Sequence, residues 1–220
     1  MTDFTRARTV MVDNQLRTSS ITDRHLLAVM GQVPRERFVP EQRQALAYID
    51  EAHALTASPS PRYLAAPAPF ARLVQLAEIG EGDSVLDIGC GTGYSVAVLA
   101  GLAARVTGVE SDGALVVAAR DNLSALDITN AEIVEAPLLV GPKVGAGYDI
   151  VVVEGAVDEV PPALLAHLKE GGRLVALIRR GATASANVFT KAEGAVTARA
   201  AFDTSLPSLA VPKPAEAFVF

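Results

Sequence analysis

The sequence contains one cysteine, Cys90, so no internal disulfide can staple the fold. That fits a reducing compartment, and a cytoplasmic location is expected. Its three histidines, His25, His53 and His167, stand far apart without ligand spacing, and no metal site is expected. Apolar runs are broken by Glu, Asp, Pro or Gly well before the roughly 18 to 20 residues a membrane span needs, so no membrane partner is expected. The opening MTDFTRARTVMVDNQ has no apolar core followed by a small-residue cleavage site, and no secretory signal is expected. Positive charge is also scarce. The net charge is −6, and the first 50 residues balance seven Arg against six acids, which leaves no basic footprint for nucleic acid.

What is present is hydrophobic residue, half of 220, enough for one domain with an appendage. ITDRHLLAVMGQVP reads as a helix capped by Thr22 or Asp23, with Leu26, Leu27, Met30 and Val33 on one face and Pro34 after the stop. A second short helix is expected after Pro40. Between residues 52 and 69 four prolines, at 59, 61, 67 and 69, erase the period and predict a loop or extended arm. From Pro69 the spacing of Phe70, Leu73, Val74 and Ala77 restores a helical face, ended by Gly80 and Gly82.

Strand-like runs then recur at 84–88, 105–110, 131–136, 148–154 and 172–178, with helix-like runs in most gaps. That alternation predicts an α/β fold with a mostly parallel sheet covered by helices on both faces. NVFTKAEGAVTARAAF reads as two strands about a turn and EAFVF as a last strand, giving an antiparallel C-terminal edge. The expected division is a helical extension and Pro-rich arm over 1–66, followed by the sheet domain over 67–220.

The stretch VLDIGCGTGYSVAVLA carries the chemistry. Gly89, Gly91 and Gly93 alternate with Cys90 and Thr92 directly after a strand, which lets a ligand approach backbone N–H groups that side chains would otherwise shield. A dinucleotide fingerprint would need glycine at position 94 or 96, where Tyr94 and Val96 stand, and no Gly-Lys-Ser/Thr follows for a P-loop. The turn therefore suits a nucleoside better than a polyphosphate. Glu110 closes the next strand about 20 residues on, where an acid can accept from two ribose hydroxyls. Asp87 lies inside an apolar strand, so its carboxylate needs donors, either the turn's own N–H groups or the positive end of a ligand. Glu154 ends the fourth strand near the same place. Arg179 and Arg180, after the fifth strand, read as a solvated pair, with an anionic acceptor as the other reading.

These residues resemble motif I and the following acidic motif of the class I S-adenosylmethionine-dependent methyltransferases, over roughly residues 69–180. The resemblance implies a Rossmann-like doubly wound sheet with S-adenosylmethionine as cofactor, bound by Asp87, Gly89, Cys90, Gly91, Thr92, Gly93, Tyr94, Glu110, Ser111, Glu135, Ala136 and Glu154. Residues 14–50, with VPRERFVP at 33–40 and AYID at 47–50, are similar to the start of the protein-L-isoaspartate O-methyltransferases, and GYSVAVLAGLAARVTGVE and DEVPPALLAHLKEGGRLVALI fit the same family. That resemblance implies a protein-repair enzyme that methylates the carboxylate of isoaspartyl sites in damaged proteins and peptides.

Two departures stand out. The family carries G-Q-T-I-S-Q-P before its motif I helix, and the chain reads PRYLAAP, which puts Tyr63 at the Thr position and Ala65 at the Ser position. The Ser hydroxyl is absent, and Tyr63 is the candidate for a replacement. The family's Gly-Asp-Gly, whose acid contacts adenine, is replaced by EAPLL, with Glu135 or a backbone group in its stead. Two alternatives follow from the altered arm: a methyltransferase with a different acceptor, and a cofactor-binding module without activity.

Overall fold

A computed structural model describes residues 3–57, 61–143, 145–181 and 183–209. Its centre is a seven-stranded sheet in the order β5-β4-β3-β6-β7-β8-β9. Strands β3 (Ser84–Ile88), β4 (Arg105–Glu110), β5 (Ala131–Glu135), β6 (Tyr148–Val157) and β7 (Leu168–Arg180) run parallel, and β8 (Thr183–Ala192) and β9 (Ala195–Thr204) add an antiparallel edge. All five residues of β3 are buried, as a strand sandwiched between helix layers requires. The chain leaves β3 toward β4 and β5 and returns to β3's other side as β6. The carboxyl ends of β3, β4 and β6 therefore meet where the strand order reverses, the place such sheets bind ligands.

Local chemistry accounts for most helix ends. Asp23 caps α2 (Arg24–Met30) by accepting from the His25 and Leu26 N–H groups, and Asp112 caps α5 (Gly113–Ser124) by accepting from Ala114 and Leu115. Helix α3 (Pro67–Ala77) begins at the proline pair rather than after it, because proline at the first turn loses no hydrogen bond. It stops at Glu78, in the left-handed region at φ 48°, before Gly80 and Gly82 are reached. The segment after Pro40 is a 3-10 turn, Glu41–Leu46, and the arm holds a short hairpin, β1 (His53–Ala54) against β2 (Tyr63–Leu64). β6 and β7 both run longer than their apolar runs suggest. EAFVF lies outside the described residues.

The N-terminal extension begins with α1 (Phe4–Met11), which runs directly into a π-turn, Val12–Leu16. It is bound to the sheet layer by one continuous apolar core that includes Met11, Leu16, Leu26, Met30 and Phe38. Each such side chain contributes roughly 1.5–3 kcal/mol when removed from water. Phe38 and Phe70 meet the Tyr94 ring at 5.5 and 5.7 Å between centroids. Tyr94 opens α4 (Tyr94–Ala100), so the helix that follows the glycine turn is anchored on the extension. The fully buried Arg35 donates to the Ala47 carbonyl at 2.7 Å and the Ala65 carbonyl at 2.6 Å, tying the extension to the arm. Among the described residues no helix is long and apolar enough to cross a membrane.

Candidate active site

The glycine turn leaves β3 at its carboxyl end. Gly89, Gly91 and Gly93 all lie in the left-handed region, at φ 90°, 55° and 92°, which side-chain-bearing residues adopt only under strain. Gly89 and Cys90 donate to the Val109 carbonyl at 2.8 and 3.1 Å, pinning the turn to the end of β4. The fully buried Glu110 carboxylate comes from that same end. It accepts from the Gly91 N–H at 3.0 Å, the Ser111 N–H at 2.7 Å and the Asp112 N–H at 3.3 Å.

Two more carboxyl groups border this space. Asp87 is fully buried, accepts the Ser95 hydroxyl at 2.5 Å through Oδ2, and has no partner at Oδ1 among the described residues. Burial pushes its carboxyl up to about 7, with Glu110 adding to the rise and Ser95 and Arg62 opposing it. Glu154 sits where the pairing of β6 with β7 slips between Val152 and Ala156, and its enclosed Oε1 has no partner among the described residues. Burial raises Glu154 well above the usual carboxylate range, and Asp87 adds to the rise. Burial and the Asp87 and Glu110 charges likewise push the Cys90 thiol up, which disfavours its thiolate form.

The remaining candidate residues occupy different places. The Thr92 hydroxyl donates to the Phe38 carbonyl at 2.6 Å, and the Tyr94 ring packs into the extension below the turn. Ala136 N–H donates to the Glu110 carbonyl at 3.1 Å, which brings the start of EAPLL beside β4. Glu135 ends the edge strand β5 and lies near the first residue of α5, Gly113. Tyr63, Ala65 and Glu154 together line two cavities of about 10 Å³ each, room for about one water apiece. Arg179 pairs with Asp158 at 3.3 Å and donates to the Ser208 hydroxyl.

The residue that sequence reasoning missed is Arg62. Its guanidinium, 8% exposed, enters the site from the arm and donates to Glu110 through Nε at 3.2 Å and Nη2 at 3.1 Å. Nη2 also donates to the Gly89 carbonyl at 3.0 Å, and Nη1 to the Leu209 carbonyl at 2.9 Å. A signal existed: Arg62 is the only charged residue between Glu51 and Arg72, with His53 neutral. Leu209 lies over Gly89 and Gly155, and Leu55 lies over Gly91. A Cβ built on Gly89 would stand 2.5 Å from Leu209 Cδ1 and 2.7 Å from Arg62 Nη2, and one on Gly91 would stand 2.6 Å from Leu55 Cδ1.

In kind, these groups fit an adenosyl ligand with a cationic end: bare glycine backbone, a strand-end carboxylate for a diol, and two acid oxygens without donors. The space between them is filled by the chain's own Arg62, Leu55 and Leu209. Sheet order, glycine turn and strand-end acid define the class, a Rossmann-like domain of the class I methyltransferase type.

Residues 6–206 match the family described as protein-L-isoaspartate(D-aspartate) O-methyltransferase, and the chain belongs to that family. It is 38% identical over 175 residues to the protein-L-isoaspartate O-methyltransferase of Koribacter versatilis (strain Ellin345), an alignment covering 80% of this chain and 78% of that protein. Against protein-L-isoaspartate O-methyltransferase 1 of Rhodopseudomonas palustris (strain HaA2) the identity is 38% over 178 residues, covering 79% of this chain and 70% of that one. The fold is similar to that of a solved protein-L-isoaspartate O-methyltransferase at TM-score 0.77 and 24% identity, spanning 92% of this chain and 64% of that longer one. It is also similar, at TM-score 0.76 and 24% identity over 92% of this chain and 97% of the other, to a putative family member from Plasmodium falciparum whose structure holds S-adenosyl-L-homocysteine.

Proposed function

We propose that the protein transfers a methyl group from S-adenosylmethionine to the carboxylate of isoaspartyl residues in damaged proteins and peptides. The observation that carries this reading is Glu110, a buried carboxylate at the end of β4, hydrogen-bonded to the main chain of a glycine turn at the point where strand order reverses. Family membership supplies the reaction.

When bound, S-adenosylmethionine supplies a methyl group on a sulfonium centre, with sulfur as the leaving atom. The acceptor carboxylate, with an ordinary pKa of about 4, is already an anion at neutral pH, so no residue need act as a general base. The chain's task is to orient the acceptor and strip its water. Glu110 would accept from a ribose diol, and the main chain at Gly89–91 would allow close approach of the methionine portion once Arg62, Leu55 and Leu209 have moved aside. Asp87 and Glu154, with Oδ1 and Oε1 unpaired, would face its ammonium end. Tyr63 borders the same cavities as Glu154 and Ala65 and would offer the acceptor a hydroxyl in place of the family's serine.

The test is methyl transfer from labelled S-adenosylmethionine to an isoaspartyl peptide and to its normal aspartyl twin. Selective labelling of the isoaspartyl peptide is expected. Labelling of a small metabolite with none of either peptide would contradict the acceptor assignment.

A further inference from the structure

Three buried or enclosed carboxyl groups, Asp87, Glu110 and Glu154, surround a site reached, among the described residues, by one cation, the guanidinium of Arg62. That guanidinium lies on the carboxylate that a ribose diol would need. It also joins two segments distant in sequence. Nη1 holds the Leu209 carbonyl, and Nη2 holds the Gly89 carbonyl at the base of the turn. Leu209 is seated by two main-chain bonds along β6, Ala156 N–H to the Pro207 carbonyl at 2.9 Å and Leu209 N–H to the Ala156 carbonyl at 3.0 Å. Leu55 is seated by its N–H donating to the Arg62 carbonyl at 2.8 Å, across the same hairpin. One residue therefore touches both apolar residues that lie against the glycines, Leu209 through its guanidinium and Leu55 through its main-chain carbonyl.

We propose that the Arg62 guanidinium is a built-in occupant of the cofactor site, which holds Glu110 and keeps Leu209 against the glycine turn until an adenosyl ligand displaces it. This inference rests on the proposed function, since the ligand is the cofactor named there. A purely structural ion pair would be expected beside the ligand space. Here the guanidinium contacts both the Glu110 carboxylate and the Gly89 carbonyl, and a Cβ on Gly89 would meet it at 2.7 Å, so it and a ligand cannot share the cradle. Displacement leaves Glu110 to the ribose hydroxyls and sends the guanidinium to water. The site thus binds only from an open state, and the apparent dissociation constant exceeds the intrinsic one by the reciprocal of the open fraction.

The experiment titrates S-adenosyl-L-homocysteine into the wild-type chain, Arg62→Ala and Arg62→Gln by calorimetry, with circular dichroism to confirm the fold. It also follows tryptic cleavage of the wild type after Arg62 by mass spectrometry, with and without the ligand. Both substitutions are expected to tighten binding at least tenfold. In the wild type, saturating ligand is expected to accelerate cleavage of the Arg62–Tyr63 bond several-fold, the reverse of ordinary ligand protection. Wild-type binding that neither substitution tightens, or cleavage at Arg62 slowed or unchanged by saturating ligand, overturns the inference and leaves the proposed function standing. Absence of binding in all folded forms overturns the cofactor assignment, and the inference with it. Should the variants fail to fold, the cleavage comparison on the wild type decides alone.

Discussion

Arg62 Nη2 lies 3.1 Å from Glu110 Oε2, a buried ion pair between the arm and the end of β4, 48 residues apart. A pair that could not reach water would cost about 3–5 kcal/mol to break by removing one partner. With the arm opening as proposed, Glu110→Gln is expected to cost less, about 2 kcal/mol in urea denaturation. The double variant Arg62→Met, Glu110→Gln should be no less stable than Glu110→Gln alone. Strict additivity of the two substitutions would show that the pair is not coupled.

Two buried groups should tilt the pH dependence of stability in opposite directions. Asp87 titrates in the folded chain at about 7, above its usual 3.8. The folded chain therefore keeps a proton that the unfolded chain has lost. That stabilisation is complete below about pH 4 and disappears as pH rises through about 7, by up to about 1.4 kcal/mol per unit. Burial, then the Arg35 and Arg43 charges, lower His53 from 6.5 to about 4, so its contribution is present above pH 6.5 and is lost as pH falls toward 4. The two contributions offset each other between about pH 4 and 6.5, so urea midpoints measured from pH 4 to 8 should rise more steeply with pH over that window in Asp87→Asn and fall more steeply in His53→Leu than in the wild type. Unchanged profiles would contradict both assignments.

Features dictated by local chemistry are legible in the sequence. The strands at 84–88 and 105–110 have the bounds that their apolar runs suggest, because each is a short buried run bracketed by turn residues. The glycine turn and Glu110 share a register fixed by the βα unit itself. Arg62, Leu209 and Leu55 are not legible in this way. They reach the site through a two-residue hairpin and through main-chain pairing of residues 207–209 with β6, contacts set by long-range packing with no periodic signature. The stop of α3 at Glu78 escapes for a related reason: glycines two and four residues on are the local signal, yet a non-glycine residue takes the left-handed conformation first.

Tyr63→Phe tests the replacement hydroxyl. If Tyr63 orients the acceptor, kcat should fall on the order of 100-fold with little change in KM for the cofactor, as for loss of one preorganised donor. Ala65→Ser should raise kcat, because Ala65 borders the same cavities as Tyr63 and Glu154. Steady-state kinetics on an isoaspartyl peptide measure both, and a Tyr63→Phe variant with unaltered kcat would remove Tyr63 from the acceptor site.

Cys90 should be nearly inert toward thiol reagents in the folded chain, since it is buried and its thiol is held protonated. Labelling by dithionitrobenzoate at pH 8 is expected to follow opening or unfolding of the chain, and to become immediate in denaturant. Fast labelling of the native chain would mean that the turn is far more open than its hydrogen bonds imply.

The most direct measurement is calorimetric titration of S-adenosyl-L-homocysteine into the wild type and into Glu110→Ala. One ligand bound per wild-type chain, with affinity reduced at least a hundredfold by Glu110→Ala, is the result that the glycine turn and its acid predict. Absence of wild-type binding, or equal binding by the two chains, would contradict the assignment of this turn as a cofactor site.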